Sequence, residues 1–432
     1  MITMNNIVQK NKFDDAQIIV GEINNDEESS NIIDDESDLQ QYHRGIYWRL
    51  LFLNLVILWA YQSLVSAQSY YAASFKNDHL DFWGTVSAGS AMFVFHIIQL
   101  YFGIYKYGFT KRVIPGYVGY IIIAILVIAT KNAYILIFSF AAVGALNTFT
   151  ESPVYGIAGL FPTGVFSQAV QVGNGLAGFL NVTCDTIIRL IIYFARSSIN
   201  QDQLSFFIFM SVLILLCLIA IFTYYRLIRI PPVQRRMNEQ MILFDRERAQ
   251  QGDNRVISDH EHVLSFWALA KILRSHLFVQ FYVLFISLLL WPGVPCNASK
   301  NGWFAGGGHD WWCSPFVIGV FNLGDLVGRT VAVKVHQYFS AKICLTSSLI
   351  RTLFLFTLFY RNHMSNIVLL LLISLMAISN GLLATVTFMV RPKSIIGVQN
   401  CERSAYLMTA SLYGGIAAGS ILAAILSLAS VI

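Results

Sequence analysis

Five ionisable side chains interrupt long apolar stretches of the sequence: Glu151, Asp185, Arg189, Asp325 and Arg329. A charge within such a stretch is costly to place in a membrane and often marks the pathway of a solute or an ion. The last four residues form two pairs in which an aspartate precedes an arginine by four positions. That spacing places both side chains on one helix face, where they partly neutralise each other. Each pair could therefore bind a solute or hold helices together.

The pair Asp325 and Arg329 has polar and small neighbours on its own helix. Asn322 lies three residues before Asp325, so an amide, a carboxylate and a guanidinium follow one another along one face. Arginine donates hydrogen bonds to ring or hydroxyl oxygens, and aspartate accepts them from hydroxyl protons. Such a face is suited to a polyhydroxylated solute. Gly324 and Gly328 would allow another helix to approach closely.

The elements that must position these residues are apolar helices. Of the 432 residues, 56% are hydrophobic and 12% are charged, whereas a soluble domain carries about a quarter charged residues. The apolar runs reach about 20 residues, the length that a helix needs to cross a bilayer. We therefore predict an all-α membrane protein with about eleven transmembrane helices. The candidate spans are approximately 46–72, 82–105, 114–131, 133–160, 166–195, 204–226, 276–293, 312–335, 341–360, 365–390 and 404–430.

The polar segments divide the chain into four predicted regions in a 6+5 arrangement. These are a disordered acidic cytoplasmic tail at 1–44, a six-helix half at 45–226, a cytoplasmic loop with an interfacial helix at 227–275, and a five-helix half at 276–432. The interfacial helix is expected at 263–275, where apolar and basic residues recur at helical spacing; the alternative is a longer seventh helix. Lysine and arginine asymmetry between the loops places the N-terminus in the cytoplasm and the C-terminus outside.

One predicted outer loop has two features that are typical of proteins that pass through the secretory pathway. Cys296 and Cys313 could form a disulfide there, and Asn297 begins an Asn-Ala-Ser sequon for N-glycosylation. We therefore expect a glycoprotein, with the plasma membrane as its default location.

Several short motifs, taken in order, resemble those of the equilibrative nucleoside transporter family. The segment 321–329 resembles the family signature F-N-x-x-D-x-x-G-R, and Ser379-Asn380-Gly381 resembles a second signature two spans later. Further similarities occur at 156–162, 175–178, 291–294 and Arg351. The order and spacing of these motifs match the family across roughly residues 46–430.

The resemblance implies a fold of the major facilitator type, with two helical halves around a central cavity and facilitated transport of nucleosides by alternating access. Nucleobases could also be carried. By motif, Asp325 and Arg329 would hold the ribose and Asn322 would line the same cavity. Trp291 would form an aromatic wall near its outer side, and Ile416 would touch the base.

Three positions depart from the family pattern. Tyr61 and Gln62 stand where the family often has Trp-Asn, although Tyr61 could still stack on a base. Glu151 stands where many members have a glutamine. An ionised carboxylate only accepts hydrogen bonds, so Glu151 would suit a base edge that presents N–H groups, or it could bind a proton. Proton-coupled symport through Glu151 is therefore the alternative function. The pair Asp185 and Arg189 is not part of the family signature.

Other classes of function have little support in the sequence. We find no phosphate-binding loop of a pump, and histidines, cysteines and carboxylates do not cluster as in a metal centre or an enzyme site. No cofactor and no metal are expected, and a membrane receptor or enzyme is the last alternative. Basic residues that flank apolar helices indicate topology rather than binding of a nucleic acid polymer. The expected partners are the nucleoside or nucleobase substrate and the lipid bilayer; oligomeric state cannot be read from the sequence.

Overall fold

The computed structural model describes residues 26–66, 80–130, 132–161, 164–195, 201–252, 264–291, 293–296, 312–390, 395 and 398–428. Over these ranges the chain is helical and contains no strand, as predicted. The main helices are α1 (Asp26–Ser66), α2 (Leu80–Tyr101), α3 (Thr110–Ala129), α4 (Ala133–Gly159), α5 (Val165–Ala195), α6 (Gln201–Ile228), α7 (Pro231–Gly252), α8 (Phe266–Leu290), α9 (Gly319–Val335), α10 (Ala341–Ile350), α11 (Asn366–Met389) and α12 (Val398–Leu428). A π-helical turn, Trp312–Ile318, leads into α9, and a 3₁₀ segment, Arg351–Phe356, continues α10.

Ten segments of the described chain are long and apolar enough to cross a membrane. Five of these segments precede α7 and five follow it. The first predicted span corresponds to the second part of α1, so the all-α fold class and the order of about eleven helices are confirmed.

Polar side chains set the starts of several spans. Asn132 separates α3 from α4 because its side chain accepts a hydrogen bond from the Tyr134 N–H at 2.9 Å. Ser265, Ser340 and Ser365 cap α8, α10 and α11 in the same way. Such a cap contributes about 1 kcal/mol, which is enough to fix a helix start inside a nearly continuous apolar run.

The structure differs from the predicted tail over part of its length. Residues 26–44 were expected to be disordered, but they belong to α1. The helix begins at Asp26 and continues without a break into the first apolar span. Residues 1–25 lie outside the described ranges.

The segment between the two halves also differs from the prediction. In place of the interfacial helix expected at 263–275, the structure has the stated alternative, a longer seventh spanning helix, since α8 runs without a break from Phe266 to Leu290. The reason is that Ser265 caps this helix and that no glycine or proline follows before Leu290 to interrupt it. A helix that was not predicted, α7, occupies Pro231–Gly252.

Residues Arg44–Ile432 form one compact unit in which the two halves touch. Helix α5 packs on α9 and α11, and α12 packs on α2 and α4. Within the second half, α9 and α11 approach each other so closely that a Cβ at Gly328 would lie 2.2 Å from the Ile378 carbonyl oxygen. A Cβ at Gly381 would lie 2.0 Å from the Asp325 carbonyl oxygen. The expected role of small residues in α9 packing is therefore confirmed.

Candidate functional site

The pair Asp325 and Arg329 lies on α9 where that helix meets the first half. Arg329 Nε donates to Asp325 Oδ2 at 2.6 Å, and the two residues are 8% and 7% exposed. Arg329 Nη1 also donates to the side-chain and main-chain oxygens of Gln171 on α5. The second carboxylate oxygen, Asp325 Oδ1, accepts from Asn380 Nδ2 on α11 at 2.7 Å. The guanidinium therefore bridges the two halves of the protein.

A second arginine extends this network within the second half. Ser287 Oγ on α8 donates to Asn380 Oδ1 at 2.7 Å. Arg351 Nη2 donates to Ser287 Oγ at 2.5 Å, and Arg351 Nη1 donates to the Met376 carbonyl at 2.8 Å. A continuous chain of polar side chains thus runs from Gln171 to Arg351. Arg351 resembles the family in sequence, but no contact was predicted for it.

Asn322 lies one turn before Asp325 and faces α5 and α1. A Cβ at Gly178 would lie 2.5 Å from Asn322 Oδ1 and 3.5 Å from Gln62 Nε2. Asn322, Gly178 and Gln62 therefore meet, and only a glycine leaves this space open.

Several buried donor atoms in this region have no hydrogen-bond partner within the described ranges. They are Gln171 Nε2, Asn322 Nδ2 and Trp291 Nε1. The Trp291 ring stacks on Phe321, the neighbour of Asn322 on α9, with ring centroids 4.3 Å apart. Because a buried donor that stays unsatisfied costs about 1–3 kcal/mol, these atoms are suited to a ligand that brings several acceptors.

Glu151 on α4 is the centre of a second polar network. Its Oε1 accepts from Asn174 Nδ2 at 2.9 Å and from Asn54 Nδ2 at 3.3 Å. Its Oε2 accepts from the Tyr413 hydroxyl at 2.5 Å. The residue is 4% exposed. Since Asn54, Asn174 and Tyr413 belong to α1, α5 and α12, this carboxylate also connects the two halves.

The remaining predicted residues are placed differently. Tyr61 is partly exposed on α1, one position before Gln62. Ile416 on α12 packs against α2, where a Cβ at Gly89 would lie 3.5 Å from Ile416 Cγ2. Ile416 is thus one turn beyond Tyr413, on the side of the Glu151 network rather than beside Asp325.

The pair Asp185 and Arg189 is buried on α5 with an Arg189 Nε to Asp185 Oδ2 distance of 2.8 Å. It begins about four helical turns beyond Gln171 on the same helix, so it is separate from the Asp325 network. At the predicted outer end, Cys296 and Cys313 are joined by a disulfide. Asn297 lies outside the described residues.

A bundle of membrane-length helices in two halves, with buried charges and amides between them, is a fold of the major facilitator type. The solved structure of the major facilitator proton:xylose symporter XylE bound to 6-bromo-6-deoxy-D-glucose has this fold. It aligns with a TM-score of 0.56 and 10% identity over 91% of this chain and 96% of that one.

The sequence profile of the nucleoside transporter family matches residues 137–428, and the chain belongs to this family. Equilibrative nucleoside transporter 3 of Rattus norvegicus is 25% identical over 308 residues, which are 66% of this chain and 63% of that protein. Equilibrative nucleotide transporter 1 of Arabidopsis thaliana is 22% identical over 286 residues, which are 65% of this chain and 60% of that protein. The aligned part thus spans somewhat under two thirds of each curated relative. The resemblance found in the motifs is confirmed, and the chain is an integral, multi-pass membrane protein.

Proposed function

We propose that the protein is a facilitative transporter that moves nucleosides across a membrane by alternating access. The observation that carries this proposal is the buried Asp325–Arg329 pair, which bonds to α5 of the other half through Gln171. A solute bound at this point would contact both halves at once. Membership of the nucleoside transporter family supports nucleosides as the solute class.

In this proposal, Arg329 and Asp325 hold the ribose hydroxyls. The guanidinium has five N–H donors in a fixed plane, and the carboxylate accepts from hydroxyl protons. In the structure the guanidinium bonds to Asp325 and Gln171, so an arriving sugar would replace the weaker of these contacts. The unpartnered donors on Asn322 and Gln171 would then serve as further contacts for sugar or base oxygens. Trp291, stacked on Phe321, would offer an aromatic wall.

Glu151 would contact the base. Three donors already occupy its two oxygens, and a carboxylate can accept about four hydrogen bonds. It therefore keeps room for one N–H group of a purine such as guanine or hypoxanthine. Nucleobases lack the sugar that Arg329 would hold, so they should be carried less well than the matching nucleosides.

Alternating access would require the halves to separate at one end. We place the N-terminus and α7 in the cytoplasm, the C-terminus outside and the protein in the plasma membrane. At the cytoplasmic end, Arg112 on α3 donates to the Tyr406 hydroxyl on α12 at 2.6 Å. Tyr155 on α4 stacks on Phe388 on α11 with centroids 4.8 Å apart. In this orientation these contacts would close the path on the cytoplasmic side and would have to open for release.

Counterflow in reconstituted vesicles tests this function directly. Vesicles that contain the purified protein and unlabelled inosine should transiently accumulate labelled adenosine from outside, without ATP or an ion gradient. Xylose loaded in place of inosine should not drive this accumulation. Binding of adenosine without any counterflow would contradict the proposal and favour a receptor.

A proton-coupled carrier is the second candidate, because the Glu151 carboxylate bonds across the halves to Tyr413. Separation of the halves would break that bond and could change the protonation of Glu151. An inward proton gradient should then stimulate uptake by the natural protein but not by Glu151→Gln. Uptake that is indifferent to the gradient would remove this candidate.

A further inference from the structure

A groove between the middle of α1 and the C-terminal end of α6 carries three arginines. It has a volume of about 500 Å³ and is lined by Arg44, Gly45, Trp48, Arg49, Phe222, Thr223 and Arg226. Its walls come from the first half alone, and none of the side chains of the Asp325 or Glu151 networks contributes to it. The nucleoside site therefore does not account for this concentration of charge.

The arginines in the groove are partly oriented by their neighbours. Arg49 Nη1 donates to the Gly45 carbonyl at 2.9 Å, and the Arg226 guanidinium lies over the Phe222 ring at 5.7 Å. The other nitrogens of these planar groups match the spacing of phosphate oxygens. Among the described residues that line the groove there is no carboxylate to neutralise them.

The surroundings of the groove indicate which phosphate could reach it. On α6, Leu215, Leu218 and Phe222 are more than half exposed and form a stripe that ends at the groove. Since α6 has the highest mean hydropathy of the membrane-length helices described, at 3.0, an exposed apolar stripe on it is suited to contact acyl chains. Trp48 is 62% exposed at the rim, as expected of an aromatic residue at headgroup level.

We propose that this groove binds the phosphate of an anionic lipid headgroup. The arginines would hold the phosphate, the Thr223 hydroxyl would donate to it, and the acyl chains would lie along the exposed stripe of α6. A headgroup is favoured over a soluble phosphate because the apolar stripe is continuous with the groove. The proposal requires only that the helices span a membrane, so it does not depend on the transported solute. In the orientation proposed above, the lipid would belong to the inner leaflet.

Thermal unfolding of the full-length protein in detergent, titrated with short-chain lipids, tests the proposal. Dioctanoyl phosphatidic acid should raise the midpoint temperature in a saturable way, while dioctanoyl phosphatidylcholine should not. The double variant Arg44→Gln/Arg226→Gln should need at least ten times more phosphatidic acid for the same rise. Arg229→Gln is the matched control, because it removes an exposed arginine three residues beyond Arg226 that does not line the groove.

Further measurements show whether the groove itself, and a lipid rather than a soluble phosphate, accounts for the result. Without lipid, the midpoint temperature of unfolding should be the same in the double variant and the natural protein. Arg226→Lys keeps the charge but loses the planar guanidinium, so it should bind phosphatidic acid with intermediate strength. Glycerol phosphate should not compete at the concentrations at which the lipid binds. Equal binding by the double variant would overturn the site, and equal competition by glycerol phosphate would overturn the lipid as its ligand. If the double variant unfolds, native mass spectrometry is used on Arg226→Lys and Arg229→Gln instead. Arg226→Lys should retain fewer phosphatidic acid molecules than Arg229→Gln, and equal retention would overturn the site.

Discussion

Two acid–arginine pairs with the same spacing occupy different places in this molecule. Asp325 and Arg329 on α9 bond to α11 and, across the two halves, to α5. Asp185 and Arg189 bond to each other on α5, about four turns from that junction. Equal spacing in the sequence therefore does not imply an equal role. Because the first pair contacts a residue of the opposite half, its contacts can change when the two halves move relative to each other.

The largest expected difference between the pairs is in uptake after arginine is replaced by lysine. Arg329→Lys keeps the charge but loses the planar donors that reach Asp325 and Gln171 together. Hydrogen bonds to charged groups contribute about 1.5–3 kcal/mol, so adenosine uptake should fall by about tenfold to a hundredfold. Uptake per copy at the cell surface is the measurement.

Arg189→Lys is the matched control for this experiment. It makes the same chemical change in a buried pair on α5, and uptake should stay within about twofold of the natural protein because the pair begins about four helical turns from Gln171. Similar losses in both variants would mean that closeness to the Arg329–Gln171 contact does not distinguish the two pairs.

Packing beside the first pair gives the next largest effect. A Cβ in Gly381→Ala would lie 2.0 Å from the Asp325 carbonyl oxygen, a main-chain atom that cannot move aside alone. Overpacking of this kind costs about 1–3 kcal/mol, so both the thermal midpoint and uptake should fall. Gly293→Ala, which meets nothing within 4 Å, should leave both unchanged. A stable and active Gly381→Ala would contradict the close approach of α9 and α11.

Glu151→Gln should produce a smaller and selective effect. The amide oxygen can still accept hydrogen bonds from Asn54 and Asn174, but the group gains a donor toward the base. The ratio of guanosine to adenosine uptake should therefore fall about threefold to tenfold, since a single contact contributes about 1 kcal/mol. An unchanged ratio would remove Glu151 from the base site.

The smallest effect on uptake is expected when the second pair is removed as a whole. Replacing both partners of a buried ion pair by apolar residues of similar size is often neutral, whereas removing one leaves a buried charge. Asp185→Leu/Arg189→Met should transport adenosine within about twofold of the natural protein, while Asp185→Leu alone should lower the thermal midpoint. Loss of uptake in a stable double variant would give the second pair a functional role.

The sequence predicted the spans well because their information is local. Hydropathy alone indicates where a helix can cross a bilayer, and the predicted and observed limits of α4 and α5 differ by one residue at most. The extension of α1 was missed, and the continuity of α8 was predicted only as the alternative to an interfacial helix. Charge and polarity suggested a break in each place, while the Ser265 cap and the absence of glycine and proline before Leu290 favour one helix through α8.

The candidate site could be predicted only in part. The positions of Asp325, Arg329 and Asn322 follow from spacing on one helix, which a sequence shows directly. Gln171 and Tyr413 were missed, because a single amide or hydroxyl in an apolar run gives no sign of a partner on another helix. Those partners are set by how the halves pack, so only the structure brings Gln171 to Arg329 and Tyr413 to Glu151.

The claim that Arg329 and Asp325 hold the sugar is tested most directly by combining a substrate change with a protein change. Inhibition constants for adenosine and 2′,3′-dideoxyadenosine would be measured against labelled adenosine uptake in the natural protein and in Arg329→Lys. Loss of the hydroxyls should weaken binding about tenfold in the natural protein and hardly at all in Arg329→Lys, because the two changes remove the same contact. Equal weakening in both proteins would place the ribose away from the pair.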